Sequence, residues 1–465
     1  MARALADWGL GKQETCQLGE NGCLPKCAHR SGVKDVPPRL ALLVYYNRSN
    51  RYSFNALLGA LGTRPHGWQV HVATSAEQLL LELPRLASTN DLTAVCISFC
   101  STQLWDTGTL MSSLLLLENQ RVFFIAGGPH PTGDSRGTLD MGFNLVVRGE
   151  GEETFLSVLE GLERGEVSPD IRGVAHRGAD GAVTETARAR RVDLDSFPSF
   201  AVPFGRFGPI EITRGCPYFC SFCQTPYLVG GRPRHRSVES VVRHIDWMRS
   251  RNLRDVRFVT PNSFSYGSRD GRTVDPAAVE QLLRASRQAV GEAGRIFFGS
   301  FPSEVRPEHV TTEMVELVRR YANNDNLIIG GQSGSQRVLD LCHRGHSVED
   351  VYGAVRVTRR ANLTPNVDII FGLPGESQQD VGLTISFIRR LVTLGARVHA
   401  HIFMPLPQTR FSRACAGGLS AATRKLIAEE LTPSGLIYGD WRTQEDMARR
   451  LAAYLGRGAP GNGHP

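Results

Sequence analysis

Three cysteines dominate the chemistry open to this sequence. Cys216, Cys220 and Cys223 stand at a C-x3-C-x2-C spacing, in Gly-Cys-Pro-Tyr-Phe-Cys-Ser-Phe-Cys, directly after a short, mostly apolar run at 209–212. Thiolates bind soft metals, and iron–sulfur clusters are held by cysteines closely spaced on one loop. A full cage for a 4Fe–4S cluster takes four cysteines and this loop offers three, which leaves one iron open to a ligand that is not protein. The competing reading is zinc or unpaired structural thiols. Structural zinc is closed by four ligands, and no fourth lies close by in the sequence.

The spacing, with aromatic Phe222 just before the last cysteine, resembles the radical S-adenosylmethionine (SAM) enzymes. The resemblance implies a 4Fe–4S cluster on the three cysteines, with Phe222 among the cofactor contacts. The open iron would be chelated by the amino and carboxylate groups of SAM, whose cleavage yields a 5′-deoxyadenosyl radical that takes hydrogen from a substrate. It also implies a low-potential electron donor, a flavodoxin or ferredoxin.

The elements that must hold this loop run from 209 to 410. Strands are expected at 209–212, 256–260, 295–300, 326–331, 366–371 and 397–404, separated by helical stretches. Six βα units predict a partial (β/α)6 barrel of TIM type, with functional groups at the carboxyl ends of its strands. Those ends carry Gly331-Gln332-Ser333-Gly334-Ser335 and Arg344-Gly345-His346, which resemble the segment contacting the ribose and carboxylate of SAM. The usual pattern has glutamate where Gln332 stands; an amide still bonds ribose hydroxyls but brings no charge. Arg344 is the expected partner of the SAM carboxylate. Gly372, in Phe371-Gly372-Leu373-Pro374-Gly375-Glu376, falls where the family places its loop beside the adenine. His399 and His401 share one face of their strand and, if it is the lumen face, would meet substrate or donate protons. Tyr266, Glu304 and Asn262 are further lumen candidates.

Strands at 39–46, 69–73, 94–99, 121–126 and 144–147 alternate with helices before this barrel. Such alternation predicts a doubly wound, flavodoxin-like parallel sheet, with ligands past the carboxyl ends of its strands. Asn47, Ser98, Thr102, Gly127, Gly128, His130, Gly149 and Glu150 lie on those loops. Gly127-Gly128-Pro129-His130-Pro131-Thr132 and Arg148-Gly149-Glu150-Gly151-Glu152 resemble the cobalamin-binding domain that precedes many radical SAM domains. The Asp-x-His-x-x-Gly sequence that supplies a cobalt ligand in classical modules is absent. His66 lacks the pattern, and His130 reads as a loop group near the corrin. Cys96 falls inside an apolar strand and reads as core; Cys100 is on the cofactor loop.

The domain organisation expected is a disordered leader at 1–36, a cobalamin-binding domain at 37–165, a linker with a small hairpin at 166–208, the barrel at 209–410 and a helical C-terminal extension at 411–465. Cys16, Cys23 and Cys27 in the leader match no pattern with a known mechanism. The net charge is +7 over 465 residues, nearly all of it arginine, with no block of like charge that reads as a nucleic-acid tail. Ten cysteines in a chain this long are no disulfide framework. No apolar h-region opens the chain and no stretch approaches a membrane span, so a cytoplasmic protein is expected.

The motif order as a whole resembles cobalamin-dependent radical SAM enzymes over 38 to about 405. That implies methylation of an unactivated carbon through a 5′-deoxyadenosyl radical and methylcobalamin. The pattern is similar to a subgroup that includes a protein-glutamine C-methyltransferase acting on methyl-coenzyme M reductase, which makes a protein or peptide side chain one candidate substrate. A cobalamin-dependent rearrangement or ring closure, a methylthiotransferase, and a non-enzymatic cobalamin-sensing module are the alternatives.

Overall fold

The structure is a computed structural model, describing residues 39–117, 120–432, 435 and 437–456. The leader at 1–36, with Cys16, Cys23 and Cys27, lies outside the described residues. The chain divides into two units, 1–51 with 65–190, and 52–64 with 191–465.

In the first unit, β1 (Leu40–Tyr45), β2 (Gln69–Ala73), β3 (Leu92–Ser98), β4 (Val122–Gly127) and β5 (Leu145–Val147) form a parallel sheet in the order β2-β1-β3-β4-β5. Nearly every side chain of β1, β3 and β4 is buried, as expected of a sheet covered on both faces. The strand order reverses between β1 and β3, the switch point of a flavodoxin-like sheet. There Asn50 donates from Nδ2 to both the Tyr45 carbonyl (2.8 Å) and the Ser98 carbonyl (3.0 Å), tying the two loops together. The small hairpin expected in the linker, β6 (Val174–Arg177) with β7 (Val183–Glu185), instead extends the sheet antiparallel from β5. Its backbone groups find partners on an open edge.

The helix Arg51–Leu61, expected with the first sheet, packs almost wholly within the second unit. Gly59 is the reason: a Cβ there would lie 3.0 Å from the Phe200 carbonyl oxygen and 3.1 Å from that of Pro198.

The second unit begins with β8 (Ile210–Glu211), followed by the short hairpin of β9 (Thr213–Arg214) and β10 (Arg234–His235). Next come β11 (Asp255–Val259) and β12 (Arg295–Phe297), then β13 (Asn326–Gln332), β14 (Thr364–Phe371), β15 (Arg397–Ile402) and β16 (Ile437–Tyr438). β8, β11 and β12 form one parallel ribbon and β13 to β16 another; a Val305–Ile329 bridge adds 305 to the edge of β13. Alternation sorts the side chains. Leu327, Ile329, Val367, Ile369, Val398 and Ala400 are fully buried in the apolar core, while Ile328, Asp368, His399 and His401 face the interior cavity. β16 was not expected. The segment read as a helical extension supplies the last parallel strand, and Trp441, Ala448 and Leu451 anchor the helix Trp441–Gly456.

Candidate active site

The cysteine loop hangs from the β9–β10 hairpin. Gly215 opens it at φ +102°, where a Cβ would lie 2.3 Å from the Arg232 carbonyl oxygen, so glycine is needed to bring the loop ends together. The Cys216 N–H donates to the Gly230 carbonyl (3.1 Å), and the Cys223 N–H to that of Cys220 (2.9 Å). Tyr218 carries two guanidiniums on its ring, Arg306 at 3.3 Å and Arg272 at 4.7 Å from the centroid. Each such contact contributes roughly 0.5–2 kcal/mol and fixes the loop to the barrel.

All three cysteines line one cavity of about 330 Å³, together with Phe222 and Gln332. Burial pushes the Cys216 and Cys223 thiols up, Cys223 to about 11. The bare Cys216 and Cys223 thiols stay protonated at neutral pH; a bound metal is what would make them thiolates. The donor set tests which metal. Sulfurs on one tetrahedral zinc sit about 3.8 Å apart, from Zn–S bonds of about 2.3 Å. Among the described residues, the one grouping with all its ligand atoms within 4.8 Å is Asp368, His399 and His401, so the cysteine sulfurs are spread wider than a single ion takes. Three sulfurs around a larger cavity fit a polynuclear cluster. Cys342 does not line this cavity: its thiol is buried among Val338, Leu373 and Phe403, which pushes it up to about 12.

Arg344 is buried beside the cysteines. Its guanidinium lies 3.6 Å from Cys220 Sγ and donates to the Gly330 carbonyl at 3.0 Å and to His346 Nε2 at 3.1 Å. Gly330 makes the room, since a Cβ there would meet a guanidinium nitrogen at 2.3 Å. Gln332 enters the cavity wall at a register shift in β13, with φ +68°. Arg306, which sequence reasoning left unassigned, bonds the Arg344 carbonyl and lines the same wall.

The β13–β16 ribbon, which carries Gln332, also presents His399 and His401 with Asp368, their neighbour on β14. His399 Nδ1 is 3.1 Å from Asp368 Oδ1, and His401 Nε2 is 3.8 Å from it. Burial raises the Asp368 carboxyl, but hydrogen bonds from both histidines prevail and hold it below its ordinary value. Asp368 was missed as a site residue; a charge inside the apolar run Val-Asp-Ile-Ile-Phe was the signal. Glu304 lines the cavity, its carboxyl pushed up by burial against the pull of Arg344.

Other expected residues fall elsewhere. Tyr266 is core: its hydroxyl donates to the Arg236 carbonyl at 2.7 Å and it is absent from the cavity wall. Asn262 is a brace, with Nδ2 2.7 Å from His309 Nδ1 and Oδ1 accepting from the Arg306 N–H. Ser333, Gly334 and Ser335 turn from the cavity to the helix Gln378–Thr393. Ser333 Oγ bonds Thr384 at 3.3 Å, Ser335 Oγ bonds Asp380 at 2.6 Å, and a Cβ on Gly334 would strike Phe387. Gly372 lines a separate cavity of about 400 Å³ with Glu376, which burial pushes up to about 7.

In the first unit, Thr102 and Gly149 are exposed on the carboxyl-edge loops, and Gly127 and Gly128 are half-buried. Gly128 has φ +98°, and a Cβ on it would lie 2.7 Å from Ser98 Oγ. Asn47 closes its own turn, its Oδ1 accepting from the Ser49 N–H at 2.9 Å. Ser98, Glu150 and His130 are buried. His130 is wholly enclosed, its Nδ1 2.9 Å from Ser101 Oγ, and it braces the loop. His66 precedes β2, at the amino end of the sheet, and stacks on Trp68. Loops of glycine and small hydroxyl residues let a flat macrocycle lie against backbone, so these residues would suit a corrin.

Residues 210–388 match the Radical SAM superfamily, and residues 41–159 match the B12 binding domain. An uncharacterized protein of Methanopyrus kandleri is 27% identical over 330 residues, covering 63% of this chain and 62% of that one, so the chain spans about three fifths of it. An uncharacterized methyltransferase of Pyrococcus horikoshii is 23% identical, over 72% of each chain. Among solved structures, the radical SAM methyltransferase TsrM from Kitasatospora setae, with cobalamin and a [4Fe-4S] cluster bound, superposes with a TM-score of 0.64 at 17% identity, over 81% of this chain and 74% of that one. Among the described residues no helix is long and apolar enough to cross a membrane. The cofactors that go with the two domains are a 4Fe–4S cluster, SAM and cobalamin, and the chain joins a B12-binding domain to a radical SAM domain.

Proposed function

We propose that this enzyme methylates an unactivated carbon. The observation that carries the reading is the cavity, where the cysteine wall with its two arginines and the Asp368–His399–His401 wall enclose one ligand-sized volume. The methyltransferase descriptions of the Pyrococcus relative and of TsrM support it. When bound, the cluster and SAM supply a 5′-deoxyadenosyl radical and the corrin supplies a methyl group.

The chain's own residues position and exclude. Cys216, Cys220 and Cys223 would hold the cluster. Arg344 offers a fixed guanidinium for a carboxylate beside it, and Gln332 an amide for hydroxyl groups. Phe219 and Phe222 keep water from the sulfur wall. The loops after β1, β3, β4 and β5 would hold the corrin through backbone and small side chains. A low-potential flavodoxin or ferredoxin in a reducing cytoplasm would serve the cluster.

The test is anaerobic. Protein reconstituted with iron and sulfide is mixed with SAM bearing a deuterated methyl group, reductant, cobalamin and candidate substrates. Methyl transfer puts the label in the product alongside 5′-deoxyadenosine. Product formed with 5′-deoxyadenosine but without label makes the enzyme a rearrangement catalyst.

A further inference from the structure

Asp368, His399 and His401 form a grouping that nothing about the cofactors requires. Two histidines and one carboxylate with ligand atoms within 4.8 Å invite a divalent metal. The hydrogen bonds around them point elsewhere. Gln444 Oε1 accepts from the Ile402 N–H at 2.9 Å, which sets the amide so that its NH2 faces His401 Nδ1 at 3.5 Å. Nδ1 is then the accepting nitrogen, and neutral His401 carries its proton on Nε2, toward Asp368. A metal on that Nε2 would require a proton on Nδ1, against a donor. His399 is wired the opposite way. Its Nδ1 faces Asp368 Oδ1 at 3.1 Å, so the proton is there and Nε2 keeps its lone pair. Tyr438 stacks on the ring at 4.7 Å and 8° and fixes its plane.

We propose that this trio is a hydrogen-bond-accepting subsite on the cavity wall. His399 Nε2 receives an O–H or N–H of the molecule that fills the cavity, with Asp368 and His401 as positioning residues. The proposal rests on the methyl-transfer reading only in calling that molecule a substrate.

Diethyl pyrocarbonate labelling of the reconstituted enzyme, read by peptide mass spectrometry, tests it without turnover, so a failure of methyl transfer leaves the result intact. The reagent needs an imidazole lone pair. The two side chains are equally accessible, 32% for His399 and 30% for His401, so a rate difference reports wiring. His399 is expected to react about tenfold faster than His401. Gln444→Leu, checked for unchanged iron content, should bring His401 up to the rate of His399. Acetamide, a bare N–H donor, should slow His399 labelling, and N,N-dimethylacetamide should not. Equal rates in the wild type, no protection by acetamide, or equal protection by both amides would overturn the proposal. So would one equivalent of Co2+ protecting both histidines with d–d absorption bands, which would mark a metal site.

Discussion

The two units offer their cofactors opposite kinds of surface. The loops after β3, β4 and β5 carry glycines and small hydroxyl residues, and their one histidine, His130, is wholly buried. The barrel cavity carries cysteine, arginine, histidine and carboxylate side chains. A surface made of backbone is injured by adding atoms; a surface made of side chains is injured by removing them. Substitutions in the two units should therefore fail in opposite senses and with separable readouts, iron content for one and corrin retention for the other.

The largest effect is expected at the sulfurs. Cys220→Ala leaves two ligands for the cluster, so iron and sulfide after reconstitution should fall to background, and 5′-deoxyadenosine formation with them. Cobalamin retention should stay near wild type. A variant that lost corrin and iron together would break the contrast.

Arg344→Ala comes next. It removes a buried cation that bonds the Gly330 carbonyl and lies against Cys220. Loss of charge-assisted bonds of this kind costs about 1.5–3 kcal/mol, or roughly 10- to 150-fold in SAM affinity. Arg344→Lys should not restore it, because one ammonium cannot reach Gly330, His346 and a ligand together. Equilibrium dialysis with SAM checks both.

Gly128→Ala tests the opposite sense. The added Cβ must fit at φ +98° and 2.7 Å from Ser98 Oγ. Strain of this kind costs on the order of 1–3 kcal/mol. The expected outcome is weaker cobalamin retention and a lower unfolding midpoint, with iron content unchanged.

How much of this was legible in the sequence follows the same division. Periodicity exposed both sheets, because buried parallel strands are continuous apolar runs bounded by helices. The cysteine wall was legible because its three thiols fall within eight residues. The histidine wall was half legible: His399 and His401 share a strand face, but Asp368 joins them only through the β14–β15 register, which pairs 368 with 399. Gln444 and Tyr438 lie some forty residues further on, on a strand and helix that the sequence showed only as a tail. That Ser333, Gly334 and Ser335 bond toward a helix was not legible; they follow Gln332, which takes a positive φ. That turn swings the residues after it toward the helix Gln378–Thr393, and nothing in their identities announces it.

The smallest expected effect is a shared pH dependence, and it sharpens the contrast by showing what the units have in common. Each buries a histidine without adequate compensation for a charge. Burial pushes His130 of the first unit down to about 4, against an opposing pull from Asp134. In the second unit burial and Arg236 push His244 down to about 4, with Nε2 accepting from the Ser199 N–H at 2.9 Å. Between the ordinary value of 6.5 and about 4 the unfolded imidazole holds a proton that the native one lacks. Stability therefore rises with pH across that window and is lost as pH falls through it; below it both states are protonated and the slope flattens. Each histidine contributes about 1–3 kcal/mol over the window. Denaturant midpoints followed from pH 7 to 4 should fall in both units. His130→Gln, which has no imidazole to protonate, should flatten the slope for the first unit alone. An unchanged slope in that variant would mean that the unit opens before His130 meets solvent.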